Sequence, residues 1–172
     1  MSGTVTCQCG ALVPDVPEVR TGHLYGGAVP GCFAAYAELQ GRQYSDPGLA
    51  EARTLAVDAY MAQHPGVPGR QAAQSVWVHL IGLCATLEHG ADGLASARVK
   101  ARAAAPDAVF DWLEPPPSLG STTVFDVLAT ATPDEHRAAV RRWAQDVWHA
   151  WTAHQPAIRR RAAAILAGPL ER

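Results

Sequence analysis

The sequence predicts a mostly α protein, a helical bundle of about six or seven helices carrying an irregular N-terminal metal-binding segment. Three observations predict it. Beyond Gly31, apolar residues recur at helical spacing between capping residues, prolines and glycines. No stretch of useful length alternates apolar with polar residues, so no extended sheet is expected. Residues 1–31 carry Pro14, Pro17 and Pro30 together with Gly10, Gly22, Gly26, Gly27 and Gly31, punctuation through which no helix runs.

Taken in order, the N-terminal stretch reads as loops with a short hairpin around Cys9-Gly10. A first helix is expected over residues 32–40, with Phe33, Tyr36 and Ala37 on its apolar face and Gly41 as its C-cap. Asp46-Pro47 starts the second, because Asp accepts a first-turn N–H and Pro tolerates the first position. That helix runs through Leu49, Ala52, Leu55, Ala56, Ala59 and Tyr60 and is stopped by His64-Pro65-Gly66. The third, over 71–89, is apolar on nearly every side, which marks a helix surrounded by others.

Asp92 caps a short helix that Pro106 ends, and Phe110 to Pro117 is a stiff extended strap pinned by its aromatics. A short helix around 123–131 follows. Thr132-Pro133-Asp134-Glu135 then combines an N-cap, a first-turn proline and a capping-box glutamate. The helix it starts carries Val140, Trp143, Val147, Trp148 and Trp151 on one stripe, and a last helix begins near Pro156.

The bulk properties narrow the function classes. At 172 residues, with 48% hydrophobic and 17% charged, the chain suits a single domain: a loop-rich segment over 1–31 and a helical body over 32–172. A net charge of −2 gives no electrostatic case for a nucleic-acid partner, and the Arg159-Arg160-Arg161 run reads as the exposed face of a terminal helix. Nothing approaches the about 18 apolar residues of a membrane span. The first residues lack the basic start and apolar run of a signal peptide, so the expected location is the cytoplasm.

That compartment keeps thiols reduced, so grouped cysteines read as ligands before they read as disulfides. Three of the four cysteines, Cys7, Cys9 and Cys32, lie in the first 32 residues with His23 between them. Three sulfurs and one imidazole nitrogen form a familiar tetrahedral zinc set, and Cys9-Gly10 resembles the second half of a zinc knuckle. Zinc is therefore the expected cofactor.

A second constellation is Asp58, Tyr60 and His64 on the second helix with His79 on the third. Tyr60 and His64 share a face, and His79 interrupts an apolar run and needs a partner. If the loop segment folds over these helices, His64 or His79 adds to the metal set or replaces His23. Asp58, Tyr60, His64 and His79 are also the acid–base candidates if the metal keeps an open position. The chain lacks a phosphate-cradling loop, a nucleophile elbow and a His-Glu-x-x-His motif.

The order Cys-x-Cys-Gly, His23-x-Tyr25, Pro-Gly-Cys32, Tyr44-Ser-Asp-Pro, Asp58-Ala-Tyr60, Gln63-His64-Pro65-Gly66, His79-Leu80 and Trp112-Leu-Glu-Pro-Pro resembles an uncharacterised bacterial domain-of-unknown-function family. The resemblance covers almost the whole chain. It implies that the cysteines and the Tyr60, His64 and His79 group meet in space, and it carries no known reaction. Three functions stay open: a zinc-tethered cytosolic protein, a small metalloenzyme, and a protein-interaction adaptor.

Overall fold

The computed structural model describes residues 3–17 and 26–168. His23 and Tyr25 lie outside the described residues. The described chain forms one short hairpin followed by seven α-helices, in agreement with the mostly α expectation.

The hairpin pairs β1 (Thr4–Thr6) with β2 (Leu12–Pro14), antiparallel, Thr4 opposite Pro14 and Thr6 opposite Leu12. Its connection is the cysteine turn itself. Cys7 donates its N–H to the Ala11 carbonyl at 2.8 Å and Gly10 donates to the Cys7 carbonyl at 2.9 Å. Gly10 sits at φ +86°, which only glycine adopts freely, and this closes the loop with both cysteine side chains on its inner side.

Helix α1 (Pro30–Ser45) runs past Gly41, which the sequence marked as a C-cap. Gly41 needs no left-handed backbone there, and a Cβ at that position would meet nothing within 4 Å. The stop comes at Asp46-Pro47, where proline disfavours helical backbone in the residue before it. The buried face of α1 is Cys32, Ala35, Tyr36, Leu39 and Gln43, so Ala37 points outward rather than inward as expected. A single 3-10 turn (Pro47–Leu49), capped by Asp46, leads into α2 (Ala50–Gln63).

Helix α3 (Arg70–His89) packs against α2, α4, α6 and α7, the surrounded position its apolar pattern predicts, and ends at Gly90 in the left-handed region. Asp92 caps α4 (Gly93–Ala103) by accepting from the Ala95 N–H at 2.8 Å. The strap that follows is pinned where Trp77 donates to the Asp111 carbonyl at 2.9 Å and packs against Phe110. Helix α5 (Val124–Leu128) is shorter than expected, while α6 (Pro133–Ala150) starts with the capping box that its sequence announces. The last helix is α7 (Gln155–Ala167). Among the described residues, no helix is long and apolar enough to cross a membrane.

Several hydrogen bonds fasten the C-terminal end of α2 into the core. Gln63 accepts from the Trp143 indole at 2.9 Å and donates to the Leu119 and Thr122 carbonyls at 3.1 and 2.8 Å. Trp151 donates to the Ala62 carbonyl at 3.0 Å. With all of these buried groups partnered, the next residue, His64, leaves the helix from a fixed position.

Candidate metal centre

Three elements converge beneath the hairpin. The turn contributes Cys7 and Cys9, the first turn of α1 contributes Cys32, and the residue after α2 contributes His64. Their ligand atoms all lie within 4.8 Å of one another, and all four residues are buried. Cys9 Sγ is 3.9 Å from Cys32 Sγ, and Cys32 Sγ is 3.5 Å from His64 Nε2. All four cysteines of the chain are free thiols.

These separations fit a metal. A zinc ion held tetrahedrally by sulfurs at about 2.3 Å and a nitrogen at about 2.0 Å sets sulfur from sulfur by about 3.8 Å and sulfur from nitrogen by about 3.5 Å. The histidine is prepared for the task. His64 Nδ1 donates to the Tyr60 carbonyl at 2.7 Å, which leaves Nε2, the atom facing the sulfurs, as the nitrogen available to a metal. Tyr60 stacks on Tyr36 at 3.8 Å and packs against the His64 ring at 4.2 Å, so the imidazole plane is held from behind. This buried Cys3His group could hold a metal ion.

The electrostatics agree. Hydrogen bonds from Cys32 and then Cys9 pull the Cys7 thiol far below its ordinary range, while the Cys32 thiol is driven up by Cys7, Cys9 and burial. Burial pulls His64 down, yet the Cys7 and Cys9 sulfurs outweigh it and push the ring up to about 9. The Tyr60 phenol is pushed up by burial and then by Cys32. The Cys7 thiol and the His64 ring are thus shifted toward their charged forms side by side, and a divalent cation can take the place of that positive charge.

A latch beside the cluster, which no sequence signal announced, holds the hairpin in register. The Gln8 side chain donates Nε2–H to the Gly66 carbonyl at 3.1 Å and accepts the Gly66 N–H at 2.9 Å. Gly27 donates to the His64 carbonyl at 3.4 Å, and a Cβ on Gly26 would come 2.5 Å from that same oxygen. The chain can lie this close to the His64 turn only as glycine.

The other candidates from the sequence go elsewhere. His79 Nδ1 donates to Asp58 Oδ1 at 2.8 Å, and Lys100 on α4 donates to the same oxygen at 2.6 Å. Asp58 is fully buried, and its second oxygen has no partner among the described residues. Lys100 was not among the sequence candidates; a lone lysine on a short basic helix carries no pattern. His79 therefore does not join the cysteines, while Tyr60 supports the cluster from the side, its hydroxyl 4.0 Å from Cys32 Sγ.

Comparison with known proteins adds a family. The family model described as "Family of unknown function (DUF5946)" matches residues 4–152, most of the chain, and the protein belongs to that family. No curated protein matches the chain, and no solved structure matches it.

Proposed function

We propose that this member of DUF5946 is a zinc-binding protein in which Cys7, Cys9, Cys32 and His64 hold one Zn²⁺ as a clasp between the N-terminal hairpin and the helical body. The observation that carries the reading is the convergence of four soft or borderline donors, from three separate elements, at tetrahedral spacing in a buried site. His64 takes the nitrogen position for which the sequence offered His23 first.

The clasp answers a physical need. A two-stranded hairpin is marginal by itself in water, and this one has strands of only three residues each. Four protein donors leave no open coordination position, and His79 and Asp58 are engaged with each other. Both features favour a structural role over the metalloenzyme alternative. A thiolate-rich site also suits a reducing compartment, in line with a cytoplasmic location.

Metal analysis tests the proposal. Purified protein is expected to carry about one equivalent of zinc, with an X-ray absorption spectrum of three sulfurs and one nitrogen. Cys32→Ser and His64→Ala should each lose the metal. Wild-type protein that folds identically with and without zinc would sink the reading.

A further inference from the structure

Resting on the zinc reading, we infer that the site is a peroxide-responsive redox switch: hydrogen peroxide oxidises Cys9, and Cys32 then closes a Cys9–Cys32 disulfide that releases the metal.

Access comes first. Cys9 lines a cavity of about 390 Å³ at the protein surface, walled by Gly10, Leu12, Ser121, Phe125 and Asp126. Its polar walls are used internally: Ser121 binds Asp146 through both N–H and hydroxyl, and Asp126 accepts from Thr123. The cavity's Ser121 and Thr123 hydroxyls are thus already engaged within the protein. What the cavity offers is passage for a small neutral molecule to one sulfur. Cys32 has no exposed surface, and Cys7 faces the Gly27 carbonyl at 4.0 Å rather than the cavity. Oxidant therefore meets Cys9 before the other two.

Proximity supplies the second step. The Cys9 and Cys32 sulfurs are 3.9 Å apart, so forming the about 2.05 Å bond requires the two to close by a side-chain rotation. The Cys9 thiolate attacks one peroxide oxygen, the O–O bond breaks, and Cys9 becomes a sulfenic acid as hydroxide leaves. The Cys32 thiolate attacks the Cys9 sulfur, the S–S bond forms, and the sulfenic oxygen departs as a second hydroxide. Two electrons pass from the two sulfurs to the peroxide, and two protons from solvent turn both hydroxides into water.

The metal is left with Cys7 and His64, two donors in place of four, and dissociates. The hairpin stays attached through the new disulfide and the Gln8–Gly66 pair. Oxidation thus exchanges a metal clasp for a covalent one.

The test begins with zinc-loaded protein whose stoichiometry is confirmed before any oxidant is added. Hydrogen peroxide is then titrated in, zinc release is read with a chromophoric chelator, and disulfides are mapped by mass spectrometry of a non-reduced digest. One zinc released per chain, with the Cys9 and Cys32 peptides joined, is the expected result, and dithiothreitol should restore metal binding. Leu12→Trp, at an exposed position on the cavity rim, should slow release several-fold while leaving zinc content unchanged. Zinc retained at peroxide concentrations that oxidise free glutathione would overturn the inference, as would a bridge that includes Cys7. Protein that holds no zinc before peroxide fails the zinc reading instead, so the two failures are separable.

Discussion

At its C-terminal end α2 delivers His64 to three cysteines; further back along the same helix it delivers Asp58 to His79 and Lys100. Both clusters are junctions between α2 and its neighbours, the first buried throughout and the second half-buried around a fully buried Asp58, and each contains one histidine. They differ in where the donors aim. In the first, His64 is tied on its far side to Tyr60, and its Nε2 and the sulfurs converge on a common centre. In the second, two N–H donors converge on one carboxylate oxygen, so donor and acceptor engage each other directly. Convergent acceptors ask for a cation, whereas paired donors and acceptors complete a hydrogen-bonded strut.

The largest effect should come from breaking the strut. Asp58→Ala strands Lys100 and His79 without their carboxylate, and loss of one partner from a buried ion pair costs about 3–5 kcal/mol. Denaturant unfolding with parallel metal analysis checks it. Stability should fall by that order while bound zinc stays unchanged, because Asp58 and His64 are separated by about 9 Å along the helix axis, near the limit at which sites act independently. A variant that loses zinc along with stability would break the contrast between the two clusters.

The two clusters were not equally legible in the sequence. Cys7, Cys9 and Cys32 could be read because thiols grouped in a proline- and glycine-rich segment have few structural uses other than as ligands. His64 appeared as one of two replacement nitrogens, and nothing in the local sequence ranked it above His79. The choice is made by tertiary geometry: the hairpin folds over the end of α2, while α4 brings Lys100 to Asp58 on the other side. The helices were legible from their caps, as Thr132 and Asp92 illustrate. Gly41 misled because glycine signals a helix end only where the backbone turns left-handed, and here the helix continues at a cost of about 1 kcal/mol. The strut itself left one mark, a glycine in the middle of the central helix.

That glycine is the next test. A Cβ on Gly82 would run into the Asp58 carboxylate, with Cγ at 2.8 Å, and would come 2.9 Å from Lys100 Cδ. Asp58 is fully buried and cannot swing away, so Gly82→Ala should destabilise the fold despite alanine's better helix propensity. Overpacking of this kind costs about 1–3 kcal/mol, and urea unfolding should show it with zinc content unchanged. A Gly82→Ala variant as stable as wild type would mean that the strut is loosely packed and that the helix glycine answers to something else.

The smallest effect separates the metal from the hydrogen bonds that accompany it. Gln8 makes both of its bonds to Gly66 at an exposed position, so Gln8→Ala should lower global stability by only about 1 kcal/mol. Its consequence should be kinetic. On the zinc reading, the hairpin would have to lift away before a chelator could reach the buried sulfurs, and Gln8 would hold the turn against Gly66 while the metal–ligand bonds exchange. A loss of about 1 kcal/mol from the closed state alone raises the opened population about fivefold, and the rate of zinc transfer to excess chelator should rise by the same factor. Asp58→Ala, with its far larger loss of stability, should leave that rate near wild type under native conditions. An unchanged transfer rate in Gln8→Ala would mean that the donors alone hold the hairpin down, and that the clasp needs no support from the turn that carries it.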